Sequence, residues 1–193
     1  MTRINHQLLN QNFFVPKWEI NHLFLGTFNP EGGDDVSYFY GRKRNQTWKL
    51  LSEIFKEEFN PEEFDIFLTK LKKHQLACMD MIKSVKVREE DISFVTGKGY
   101  SDSKLINNVN EREHNTANII DVIKKNPGVR VYSTWGKGPK IKNWNIEIDR
   151  IGSIINLTSP SMAARVPKGT KKYDYMFKDW SSKIKNKLCI PIT

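Results

Sequence analysis

The apolar positions of the chain change period several times, and those changes outline its elements. Leu23-Phe24-Leu25 is a continuous apolar run, as a strand buried on both faces carries, and predicts a strand over residues 22–28. From Trp48 onward, Leu51, Ile54 and Phe55 recur at helical spacing and predict a helix over 46–58. A second helix follows at once. Asn60-Pro61-Glu62-Glu63 supplies a capping residue, a proline at the first helical position and a Glu at the third, and Phe64, Phe67, Leu68 and Leu71 form its apolar face. Residues 75–81, QLACMDM, are another short apolar run, with Asp80 near its end.

The second half is less regular. Residues 83–103 mix charges with Gly97 and Gly99 and read as loop, with a weak strand over 92–95. A helix over 113–126 carries Ala117, Ile120 and Ile123 and is stopped by Asn126-Pro127-Gly128. A third strand covers 129–134, followed by Gly136-Lys137-Gly138-Pro139 and a short segment around Ile141 and Trp144. A fourth strand over 152–157 runs into Thr158-Ser159-Pro160-Ser161. The last helix, 171–187, presents Tyr173, Phe177, Trp180, Ile184 and Leu188 at steps of three and four, with lysines opposite. Residues 1–21 are polar, and Phe13, Phe14 and Trp18 are expected to pack them onto the core. Strand–helix alternation calls for a mainly parallel sheet covered on both faces. The expectation is one α/β domain over 1–193, a three-layer α/β/α sandwich on four strands.

Composition narrows the function. The 193 residues carry a net charge of +9, which favours polyanion partners because neutralised phosphates release counterions. No apolar run approaches a membrane span, and the amino-terminal MTRINHQLLNQNFF lacks the apolar core of a secretory signal. A monomer in the cytoplasm, beside the nucleoid, or in a nucleus is the expectation. Cys78 and Cys189 form no C-x-x-C pair, and His6, His22, His74 and His114 stand apart, so neither a metal site nor another cofactor is expected. Gly136-Lys137-Gly138 is neither a P-loop nor a full dinucleotide fingerprint, and Ser159 and Ser161 lie in no nucleophile elbow.

Two loops stand out, each following a buried strand and so expected on one sheet edge. Residues 26–45 hold four glycines, the aromatic cluster Tyr38-Phe39-Tyr40 and the basic knot Arg42-Lys43-Arg44. Residues 158–165 combine Ser159-Pro160-Ser161, a tight turn able to hold phosphate oxygens, with Met162 and Arg165 at the tip, either of which could wedge into a base stack.

Together these loops resemble the uracil-DNA glycosylase superfamily, closest to its hypoxanthine-DNA and mismatch-specific uracil/thymine glycosylases. Gly26-Thr27-Phe28 is similar to the family's G-S-F-P-G strand end, and Phe39-Tyr40 with Asn45-Gln46-Thr47-Trp48 to the segment entering its first helix. Ala77-Cys78-Met79-Asp80 resembles the strand that ends in Asp. Tyr100-Ser101-Asp102-Ser103-Lys104-Leu105-Ile106 resembles G-S-x-D-x-x-I, and Ser159-Pro160-Ser161-Met162-Ala163-Ala164 the late S-P-S-P-A-N loop. The departures are Asn29-Pro30 in place of Pro-Gly, Met162 in place of a proline and Trp48 in place of Phe.

The resemblance implies a monofunctional glycosylase that flips a deaminated or damaged base, uracil or hypoxanthine for example, out of DNA and hydrolyses its N-glycosidic bond. Asn45, or Asn29 in the other register, would hold the attacking water; Phe28 and Tyr40 would flank the base, and Asp80 would face it or merely close a turn. Arg42, Lys43, Arg44, Ser159, Pro160, Ser161, Met162 and Arg165 would meet the DNA. Two other readings stay open: a catalytically degenerate nucleic-acid-binding module of this fold, and an enzyme of free nucleotides or nucleosides.

Overall fold

Every other residue of the central strands turns to a different core, and that alternation builds the layers. A computed structural model describes residues 1–96, 109–135 and 141–185. The central sheet is parallel, in the order β3–β2–β6–β7, formed by β2 (His22–Gly26), β3 (Leu76–Asp80), β6 (Arg130–Ser133) and β7 (Ile155–Asn156). Phe24, Cys78 and Tyr132 face one core, together with Trp48, Leu51, Phe67, Met176 and Trp180. Leu23, Leu25, Ala77, Met79 and Val131 face the other, with Ile119, Val122 and Trp144. Helices α1 (Thr47–Phe55), α2 (Phe64–Lys73) and α6 (Lys172–Lys185) cover the first face, and α4 (Thr116–Lys125) and α5 (Trp144–Ile151) the second. This is the expected α/β/α sandwich with its four-stranded parallel sheet.

A second, antiparallel sheet of order β1–β4–β5 was not in the sequence reading. It joins β1 (Thr2–Asn5), β4 (Ile82–Val87) and β5 (Glu111–His114). Strand β4 buries Ile82, Val85 and Val87 in the second core, but a register shift between Ile82 and Ser84 breaks the two-residue alternation that would mark it as a strand. Strand β1 hides in the polar amino-terminal stretch because Ile4 alone of its residues is buried. The weak strand expected over 92–95 is instead a short helix, α3 (Ile92–Thr96), that buries Val95. The resembling segment Tyr100 to Ile106 and the Gly136-Lys137-Gly138 loop lie outside the described residues.

Smaller shifts have local causes. Helix α2 begins at Phe64, because the Asn60 side chain accepts from Glu62 N at 3.1 Å and closes a separate turn before the helix. Helix α4 buries Ile119 and Val122 and leaves Ala117 exposed, a rotation from the expected stripe. The last helix keeps Trp180 and Ile184 inside and adds Met176, while Tyr173 and Phe177 pack at the edge of the core. Phe13 and Phe14 are buried and Trp18 packs against both cores, as expected. Among the described residues no helix is long and apolar enough to cross a membrane.

Candidate functional site

All four parallel strands end toward one cavity, the position where open α/β sheets bind ligands. It has a volume of about 300 Å³. β2 supplies Gly26 and the residues after it, β3 ends on Asp80, β6 leads to Thr134 and Trp135, and the chain beyond β7 brings Ser159, Pro160 and Ser161. The loop of residues 26–45 closes the front with Phe39, Tyr40, Arg42, Arg44 and Asn45.

The two loops singled out in the sequence are joined. Asn45 and Ser161 form an antiparallel bridge, and Gln46 N donates to Pro160 O at 3.0 Å. Helix α1 thus starts at the seam between them. The late loop is fixed from behind, since Asp179 on α6 accepts from both the backbone N and the hydroxyl of Thr158 at 2.7 and 2.9 Å. Trp180 Nε1 donates to Thr158 O at 2.8 Å.

Asp80 is the cavity's buried carboxylate, 7% exposed. It lies in register with Gly26 across the β2–β3 pairing. A Cβ at position 26 would sit 2.1 Å from Asp80 Oδ1 and 3.1 Å from the Tyr40 hydroxyl, so the glycine is a steric requirement. Asp80 Oδ2 is 2.7 Å from His6 Nε2. His6 is fully buried, and its Nδ1 accepts the Leu8 N–H at 3.0 Å, which places the ring hydrogen on Nε2 as the donor to Asp80.

Tyr40 holds a left-handed backbone (φ 58°), rare for a side chain of that size, and the turn it makes swings its ring into the cavity wall. Its hydroxyl and the Thr134 hydroxyl share a 3.1 Å hydrogen bond. Burial first, then Cys78 and Asp80, raise the phenol well above its ordinary pKa, so it stays a neutral O–H. Phe28, 5% exposed, forms another wall and meets the His6 ring edge-on at 5.6 Å between centroids.

Both asparagines reach the cavity, with different commitments. Asn29 is clamped: its Oδ1 accepts from Arg42 Nη2 at 2.7 Å and Nε at 3.1 Å, and one N–H of its Nδ2 donates to Gln7 at 2.6 Å. Asn45 Oδ1 accepts the Thr47 N–H at 2.9 Å, closing an Asx turn onto the first residue of α1, which leaves its Nδ2 as the uncommitted donor. Arg42 also lies 3.6 Å from Asp34, so the first cation of the basic knot is an internal brace, whereas Lys43 and Arg44 are exposed. In the late loop Ser159 and Ser161 accept the N–H groups of Ser161 and Ala163 at 3.4 and 3.1 Å, keeping their own hydroxyl protons to donate outward. Met162, 52% exposed, and Arg165, also exposed, lie outside the cavity lining.

The sequence reading missed His6, Thr134 and Trp135. Thr134 and Trp135 end a strand on the edge already under suspicion, so the same rule could have found them. His6 carries no motif; only the fold brings it across 74 positions to Asp80. No family model and no curated protein matches this chain.

Proposed function

We propose that the chain is a DNA glycosylase-like protein that receives a flipped, deaminated or damaged base and hydrolyses its N-glycosidic bond. The observation that carries this reading is the cavity closed by the Asn45–Ser161 bridge, with a carboxylate at its floor, aromatic walls and cationic, hydroxyl-bearing rims. That order matches a nucleotide entering base first. Asp80 and the Tyr40 hydroxyl meet the base edge, Phe28 and Tyr40 bound its faces, and Arg44, Ser159 and Ser161 meet phosphate oxygens. The net charge of +9 supports a polyanion partner.

In the reaction the C1′–N bond breaks with its electron pair leaving on the base. A water oxygen adds to C1′ and releases its proton to solvent. The transition state is positive at the sugar, so the water needs holding more than deprotonating. Asn45 Nδ2 can hold it by donating to the water oxygen. Asn29 is clamped at both ends of its amide, by Arg42 on the oxygen and Gln7 on one N–H, whereas Asn45 commits only its oxygen, which favours Asn45 in this role.

The test is abasic-site formation on oligonucleotides carrying uracil, hypoxanthine, xanthine or mismatched thymine, single- and double-stranded. Cleavage of at least one, dependent on Asn45, is the expected result; tight binding with no cleavage of any would defeat the enzymatic reading. A second reading, a base-sensing module of the same fold, draws on one observation: Asn29 Oδ1 already accepts twice from Arg42 and Asn45 Oδ1 already holds the Thr47 N–H, so both oxygens carry structural bonds before a water arrives.

A further inference from the structure

We infer that His6 is the positioning residue of this cavity, and that through it Asp80 offers a ligand one oxygen, so that the pocket takes a base by a single inward-pointing ring N–H. The inference rests on the base-excision reading above and goes beyond it by naming what is read and what sets the reader.

The carboxylate's two oxygens have separate fates. Oδ2 is turned to His6, and Oδ1 lies over Gly26, which lines the cavity. His6 has no freedom to let go. Its ring is caged by Phe14, Phe28 and Phe39 at centroid distances of 5.1, 5.6 and 5.8 Å. Both ring nitrogens are hydrogen-bonded on opposite sides, to Leu8 N and to Asp80. The backbone around it is tied to two parts of the fold: to β4, through the β1 pairing and the His6 N–H donated to Lys83 O at 2.7 Å, and to the loop after β2, where Gln7 N donates to Asn29 O at 2.8 Å. The segment carrying His6 is therefore fixed behind the residues that line the cavity.

A lone acceptor oxygen at the floor has a chemical consequence. Lactam bases such as uracil and hypoxanthine present a ring N–H there and complete the bond. Adenine and cytosine present a ring-nitrogen lone pair at the equivalent place, which sets acceptor against acceptor. A site built to bond a donor rejects a partner lacking it, because the buried group is left unpaired. Were Asp80 free to turn, it could present both oxygens, and the selection for one donor would blur. His6 prevents that turn without touching the ligand, its side chain being wholly buried behind the carboxylate.

The experiment uses the full chain as wild type, His6→Phe and His6→Gln, with single-stranded oligonucleotides holding one deoxyuridine, deoxyinosine, deoxyadenosine or deoxycytidine. A fifth carries deoxyuridine methylated on the ring nitrogen. His6→Phe should lose about tenfold or more in kcat/KM on uracil or hypoxanthine while binding an unmodified oligonucleotide as before, and His6→Gln, which can still donate to Oδ2, should recover part of it. Wild-type imidazole nitrogen–proton NMR adds a readout that needs no variant. The uracil oligonucleotide should shift His6 Nε2, and the methylated one should not. Wild-type discrimination kept in full by His6→Phe, or a silent Nε2 during uracil binding, overturns the role of His6 alone. Wild type that excises no base in the panel overturns the base-excision reading and this inference with it.

Discussion

Gly26 and Asp80 sit side by side at the ends of paired parallel strands, so closely that a methyl group on the first would fall 2.1 Å from a carboxylate oxygen of the second. Because Asp80 is held from behind by His6, it cannot simply swing away. Gly26→Ala should displace the carboxylate or spread β2 from β3, at a cost of about 1–3 kcal/mol, as overpacking of a filled site does. Urea denaturation measures the stability loss. The companion double variant Gly26→Ala with Asp80→Ala should recover most of it, and an unaltered cost in that background would mean the clash lies elsewhere.

Asn45 has two separable tasks. Its oxygen accepts the Thr47 N–H where α1 begins, and its nitrogen is the donor assigned to the water in the proposed reaction. Asn45→Ala should cost about 1 kcal/mol of stability from the lost bond to the Thr47 N–H as well as excision. Asn45→Asp keeps the accepting oxygen and replaces the donor with a carboxylate. It should therefore retain the wild-type melting temperature and excise better than Asn45→Ala, because a carboxylate can hold the water and faces a sugar that is positive in the transition state. Equal stability losses in both variants would make the residue purely structural.

Where the sequence spoke clearly, a periodicity or a strand end was speaking. The parallel sheet was legible because Leu23 to Leu25 and Ala77 to Met79 are buried on both faces and so are unbroken apolar runs. The joining of the two loops followed from both leaving the same sheet edge. The antiparallel sheet was illegible because Ile4 alone of β1 is buried and the register shift between Ile82 and Ser84 interrupts the alternation of β4. Asp80 could be named but not assigned, since its orientation depends on His6, a residue with no neighbouring signal. The basic knot read as three equivalent cations, and nothing local distinguishes Arg42, whose partner Asn29 sits 13 positions earlier.

That partnership makes Arg42 a brace. Arg42→Ala should leave the Asn29 oxygen buried without its guanidinium and cost about 1–3 kcal/mol. Arg42→Lys should not restore it, because an ammonium cannot reproduce the paired Nε and Nη2 contacts. Thermal unfolding of the two variants tests this, and a lysine variant as stable as wild type would refute the paired geometry.

Lys43 and Arg44 are exposed at the rim, so their neutralisation should act on affinity and not on stability. Each change to Ala should lower the slope of log K against log salt for an oligonucleotide by about one, uniformly across sequences. Fluorescence anisotropy at several salt concentrations reads the slope. Slopes equal to wild type would take both residues off the phosphate path.

Met162 and Arg165 project outside the cavity and differ in chemistry, which allows the wedge to be assigned. A residue that fills the gap left by a flipped base acts only where there is a stack to open. The wedge replaced by Ala should reduce excision from duplex sites more than from single strands. A phosphate contact replaced by Ala should reduce both alike. The duplex-to-single-strand ratio of excision rates, measured for Met162→Ala and Arg165→Ala, separates these roles, and an unchanged ratio in both removes the wedge from this loop.

Far from the cavity, His22 offers a prediction about pH. Its ring is stacked on Tyr132 at 5.8 Å, meets Phe55 edge-on at 5.6 Å, and shares a 3.0 Å hydrogen bond with the Tyr132 hydroxyl. Burial, with the Arg130 charge second, lowers its pKa from 6.5 to about 4. A proton is then bound more weakly in the folded chain than in the unfolded one. Stability is whole above the unfolded value, declines as the pH falls from 6.5 towards 4, and levels off below that. The full decline attributable to this ring is at most about 3 kcal/mol. Carboxylates titrate in the same interval, so the informative quantity is the difference between wild type and His22→Phe. The Phe variant should lose some stability at neutral pH through the unpaired Tyr132 hydroxyl, yet show a shallower fall on acidification. Urea unfolding at several pH values between these limits measures both slopes, and parallel curves would place the proton elsewhere.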